Sequence, residues 1–307
     1  MTDERHQENR AAATPAAAGR LGTRVGRGSR ALMAALAAAV AVVGWPAIAQ
    51  LPVAVEAWRG VPERVRALFE DAVKTALPIM ETEGLGLAGQ TVRYVLFPDQ
   101  TALLEGYQTL LGYSRERAEA LVWSTGRAIR DRTGNYVFTR LDRFGPGGPD
   151  RIVAVRHVSH ELTHIVQGAV KLCPGAVPSW VTEGWAEWAG FRTVDLAQLR
   201  PYAAQRAERL EVIRRTYQRT VIPTLVQLDR QEWARLVQAR GSPATYGVAL
   251  LAVERLIERT GGPQALDAYC TAARVDGRWA AFERVFGISE PDYALEFLRF
   301  LQGVLNP

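Results

Sequence analysis

His160-Glu161-Leu162-Thr163-His164 is the stretch from which the rest of the chain can be read. Residues four apart lie on one face of a helix, so both imidazoles can meet a single metal ion. Glu161 is turned aside from that pair, where it can hold water beside the ion. Working outward, Val155, Val158, Leu162, Ile165 and Val166 recur with helical spacing. This predicts a helix whose apolar stripe faces the core while its His pair faces a cleft. The chain holds only 4 His, and three of them, His157, His160 and His164, fall within eight residues. Scattered structural histidines do not cluster in this way. His157, one turn before His160, could line the cleft, but a lone histidine there reads more readily as structural.

A catalytic zinc needs a third protein ligand and one open position. No His follows His164. Gln167 and Val170 stand where the metzincin pattern requires Gly and His. The third ligand is therefore Asp, Glu or Cys. The segment Pro178-Ser-Trp-Val-Thr-Glu-Gly-Trp-Ala-Glu-Trp188 offers Glu183, which follows His164 after an 18-residue gap. A loop at Cys173-Pro174-Gly175 can reverse the chain, and a helix starting near Pro178 or Ser179 returns Glu183 toward the imidazoles. Glu187 lies one turn further on the same face. It is a candidate to accept the second N–H of His160 or His164, the alternative being a solvated helix charge. Trp180, Trp185 and Trp188 on the same helix read as packing.

Taken together, H-E-x-x-H, the 18-residue gap and W-x-x-E-G-x-A resemble the gluzincins, the peptidase MA-like superfamily of thermolysin-like and aminopeptidase-like zinc peptidases. The resemblance implies one zinc per chain, held by His160, His164 and Glu183, with Glu161 as general base in hydrolysis of a peptide or protein substrate. It also implies a downstream Tyr or His to stabilise the oxyanion. Tyr246, at the opening of a helix, takes that place, with Tyr202 and Tyr217 as competitors and a packing tyrosine as the alternative. The strand before the active helix, residues 135–141, is expected to form the sheet edge that binds substrate backbone. The G-x-M-E-N motif of the aminopeptidase branch is absent, so internal cleavage is expected. The specific part of the resemblance covers residues 150–190, and a looser likeness runs from about residue 90 to the C-terminus. The rival class is a non-catalytic, zinc-stabilised envelope interaction module on a peptidase-like fold. The intact Glu161 argues against it, because a structural site has no need of a base.

The pattern along the chain predicts an α+β fold. Residues 62–80 read as a helix, 91–97 as a strand, 99–130 as two helices broken near Gly112, and 135–141 as a strand. Helices follow at about 195–217, 229–239, 245–259, 263–272, 277–285 and 290–304. The expected plan is a small α/β lobe with a short sheet that includes the active helix (50–168), then a mainly helical lobe (169–307).

The formal charge of +5 does not mark a nucleic-acid binder. Six Arg against three acids in residues 1–49 account for +3 of it, and the remainder shows no basic run. Residues 1–49 carry an address: Arg24, Arg27 and Arg30, an apolar run from Ala31 to Gly44, then Trp45-Pro-Ala-Ile-Ala49. This order is that of a secretory signal peptide cleaved after Ala49, which implies export to a periplasm or the exterior. The alternative is an uncleaved anchor at 31–49, the one route by which a membrane becomes a partner. Cys173 and Cys270 are the only cysteines, and the sequence leaves open both a disulfide and two free thiols.

Overall fold

The computed structural model describes residues 51–305 except 172, 174, 176, 219 and 220. Residues 1–49, where a signal peptide or anchor is expected, lie outside the described residues. Four strands form one sheet in the order β1-β2-β4-β3: β1 (Val53–Ala57), β2 (Val92–Phe97), β3 (Gly126–Asp131) and β4 (Gly134–Arg140). β1 and β4 run parallel to β2, with Val53 opposite Val92 and Val92 opposite Asn135. β3 runs antiparallel to β4, with Gly126 opposite Thr139. The fold is α+β, with this small mixed sheet and eleven α-helices among the described residues.

Alternation along the strands divides the sheet's contacts between two apolar layers. Tyr94, Leu96 and Val137 join the main core, which holds the helices α1 (Glu63–Thr82) and α4 (Arg151–Ile165). Val95, Phe97, Tyr136 and Phe138 join a smaller cluster under α2 (Gln100–Leu111) and α3 (Arg115–Glu119). The main core continues without a break through α5 (Ser179–Leu196), α6 (Tyr202–Tyr217), α7 (Arg230–Arg240), α8 (Ser242–Thr260), α9 (Gln264–Asp276), α10 (Arg278–Phe286) and α11 (Glu290–Leu305). The α/β part and the helical part therefore share one core.

Three expectations need correction. Residues 99–130 hold α2, the short α3 and a strand, β3, rather than two helices. β4 is interior, lying between β2 and β3, so the sheet edge nearest α4 is β3 and not residues 135–141. The Asp131 side chain accepts from both the backbone N–H and the hydroxyl of Thr133, each at 2.7 Å, and so closes the tight turn that pairs β3 with β4. The helix expected over 195–217 is the end of α5 followed by α6. Gln198, at φ 56°, breaks the path between them, and Pro201 precedes α6.

α4 begins where the Asp150 carboxylate accepts from the N–H of Val153 at 2.8 Å. Val155, Val158, Leu162, Ile165 and Val166 are all buried, as their spacing predicts. Full burial of such side chains contributes roughly 1.5–3 kcal/mol each, which fixes the rotation of α4 and with it the direction of its polar face. The helix then loosens into one π-helical turn, Val166–Val170. α5 has no side-chain cap of its own, and the N–H of Ser179 is instead met by the Asp229 carboxylate at 3.1 Å. α5 packs against α8 at Gly184, where a β-carbon would come within 2.3 Å of the Ala249 carbonyl oxygen.

Candidate metal centre

α4 carries His160 and His164 one turn apart, and α5 brings Glu183 to them. The two Nε2 atoms lie 3.2 Å apart, and Glu183 Oε2 lies 3.2 Å from His164 Nε2 and 3.5 Å from His160 Nε2. Bonds of about 2.0–2.1 Å to a tetrahedral zinc would separate neighbouring ligand atoms by about 3.3–3.4 Å. The three donors thus trace one face of a tetrahedron of that size. Glu183 Oε2 is buried with no hydrogen-bond partner, an orphaned oxygen that a cation would satisfy. The group fits a metal ion.

The far side of the His164 ring is hydrogen-bonded as a metal-bearing imidazole requires, and that of His160 faces a carboxylate. His164 Nδ1 meets Gln167 Oε1 at 2.9 Å, and the Gln167 amide donates onward to the Thr182 carbonyl at 2.9 Å. A Gln oxygen only accepts, so Nδ1 carries the proton and Nε2 presents its lone pair. His160 Nδ1 faces Glu187 Oε1 at 3.7 Å. Glu187 is therefore turned inward behind His160 rather than out to solvent. Gln167 was not a candidate in the sequence. It sits three residues past His164, but its reach across to α5 depends on the π-helical turn.

The electrostatics follow from burial. Burial opposes a charge on His164, yet the Glu183 carboxylate outweighs it and raises the imidazole to about 9. Burial also opposes the charge on Glu183, but His164 and His160 hold its carboxyl well below the usual carboxylate range. Glu161 behaves in the opposite way, burial raising its carboxyl despite the neighbouring imidazoles. It is 5% exposed, and its Oε2 has no hydrogen-bond partner. Gly126, the first residue of β3, lies directly against it: a β-carbon there would come within 2.2 Å of Glu161 Oε1 and 2.5 Å of His157 Cε1.

Tyr246, in the second turn of α8, has its ring centre 5.8 Å from that of His160 and 4.9 Å from that of Trp233 on α7. Burial first, then Glu183 and Glu161, push its phenol well above the ordinary value. It is a neutral hydrogen-bond donor at the edge of the site. Tyr202, by contrast, is bonded to Glu254, and Tyr217 ends α6 inside the core. His157 stays behind the site. Its Nε2 meets Thr139 Oγ1 at 3.0 Å, its ring stands edge-on to Phe69 and Phe144, and burial pushes it down to about 3. Trp180, Trp185 and Trp188 are buried as packing.

The structure therefore brings His160, Glu161, His164, Glu183, Glu187 and Tyr246 to one place. In comparisons with known proteins, no family model and no curated relative matches this chain.

Proposed function

We propose that this chain is an exported zinc-dependent peptidase of the gluzincin kind that cuts within a peptide chain. The observation that carries the reading is the convergence of His160 Nε2, His164 Nε2 and Glu183 Oε2 at 3.2–3.5 Å, beside a buried Glu161 with an unbonded oxygen. Two imidazoles and one carboxylate form a donor set suited to zinc. Bound there, zinc supplies Lewis acidity and lowers the pKa of a coordinated water toward about 7.

The remaining chemistry belongs to the side chains. Glu161 accepts the proton of the attacking water at its carboxylate and later hands it to the departing amine. Tyr246 donates a hydrogen bond to the oxyanion as it forms at the scissile carbonyl. Gln167 and Glu187 hold His164 and His160 in the tautomer with Nε2 free. β3 has no strand partner on its outer side among the described residues, and an extended peptide can add there by backbone hydrogen bonds. Recognition through the backbone, with no G-x-M-E-N motif to hold a free N-terminus, favours internal cleavage. The disulfide between Cys173 and Cys270 favours export, since such bonds persist in oxidising compartments. No helix among the described residues is long and apolar enough to cross a membrane.

Metal content by mass spectrometry on the full chain tests the reading. About one zinc per chain is expected in the wild type, with a large loss in Glu183→Ala. A wild type that takes up no zinc, even when refolded with the metal, would sink the proposal. Zinc without cleavage of any peptide in a broad library would favour the non-catalytic module.

A further inference from the structure

Behind His160 the polar structure continues inward. Glu187 faces His160 Nδ1 with one carboxylate oxygen and takes Arg209 Nη2 at 3.2 Å with the other. Arg209 comes from α6 and is 8% exposed. Its Nη1 donates to the carbonyl of Pro243 at 2.8 Å, in the first turn of α8, the helix that carries Tyr246. The guanidinium carbon lies 5.4 Å from the centre of the Phe191 ring. The aliphatic stem runs against Gly247, where a β-carbon would come within 2.7 Å of Arg209 Cδ.

A buried arginine carries a heavy desolvation cost, so its place here calls for a reason. Glu187 supplies it. Its carboxylate lies between the guanidinium, 3.2 Å away, and the His160 ring, 3.7 Å from Nδ1. A carboxylate paired with a guanidinium can only accept, so the side of His160 that faces it suits an N–H at Nδ1, with Nε2 on the side of His164 and Glu183. The planar fork of the guanidinium reaches Glu187 and Pro243 together, so one side chain ties the carboxylate behind His160 to the start of α8.

We propose that Arg209 is a positioning residue of the metal centre. Through Glu187 it keeps His160 Nε2 turned toward His164 and Glu183, and through Pro243 it sets the start of α8, so that imidazole and Tyr246 hold a fixed relation. The inference rests on the metal reading above. A lysine does not replace this residue fully, because one ammonium on a flexible stem lacks the fork.

The test is zinc affinity by chelator competition on the full chain. It uses the wild type, Arg209→Met, Arg209→Lys, Glu187→Gln and each double variant, with the thermal midpoint of the metal-free proteins recorded alongside. Arg209→Met is expected to weaken zinc binding roughly 10- to 100-fold, and Arg209→Lys to recover part of that loss. On the Glu187→Gln background either change at Arg209 should cost little further affinity, because the effect passes through Glu187. A merely structural arginine would lower the midpoint on both backgrounds and leave the affinity losses multiplicative. Should Arg209→Met fail to fold, Arg209→Lys and its pairing with Glu187→Gln carry the same comparison. Wild-type affinity in Arg209→Met, or multiplicative losses, overturns the inference alone. A wild type that binds no zinc overturns the metal reading and this inference with it.

Discussion

Glu161 and Glu183 are the same side chain in the same cleft, and their surroundings drive them apart. Glu183 stands between two imidazoles that favour its charge. Glu161 is closed in by the backbone of Gly126, and burial favours its neutral form. Such divergence separates a ligand from a proton carrier. Glu161→Gln should therefore keep its zinc while hydrolysis falls by about 10²–10⁴-fold. Parallel metal analysis and peptide cleavage assays check this, and near-normal cleavage by the variant would exclude Glu161 as the base. The residues legible in the sequence are those with short, fixed spacing. His160, Glu161 and His164 follow from one helical turn, and Glu183 and Glu187 from the next helix. Arg209 was not legible, because its bond to Glu187 spans 22 positions and depends on how α6 crosses α5.

At the scale of elements, the centre exists because three helices approach closely. α5 must touch α4 to deliver Glu183 and α8 to bring up Tyr246. Gly184, next to Glu183, makes the second approach possible, since a methyl group there meets backbone that cannot swing away. Gly184→Ala should destabilise the fold by about 1–3 kcal/mol and weaken zinc binding together with it. A urea melt and a zinc titration measure both, and a variant matching the wild type in each would show that the helices have room. Helix positions were readable because apolar residues recur along them. β3 was not. It is a half-buried edge strand in which Arg127, Arg130 and Asp131 replace the apolar alternation that marks an interior strand. Its identity comes from pairing with β4, a contact that no local pattern encodes.

At the scale of the whole molecule, the loop between the two ligand-bearing helices is fastened to a distant one. Cys173 is bonded to Cys270, and Lys171 pairs with Asp267 at 2.7 Å, so both links end on α9. The backbone N–H of Cys173 also reaches the carbonyl of Gln167 at 2.7 Å, the residue that orients His164. The disulfide closes a loop across 97 positions. Replacing both cysteines with serine should cost about 2–5 kcal/mol of stability, read as a lower urea midpoint. An unchanged midpoint would mean that the packing of α9 alone secures the loop. The α+β class and the order of a sheet-bearing part followed by helices were legible from composition and periodicity. The single core joining the two parts was not, because it is built from residues far apart in the chain.

The contact of Gly126 with Glu161 bears on how this cleft can vary. The wall beside the carboxylate is main chain, so no substitution can make it smaller and every substitution adds atoms against Glu161 and His157. Variation in what the cleft admits must therefore come from the later positions of β3 and from the surfaces facing it, while the space beside Glu161 stays the same size in any variant that keeps the base in place.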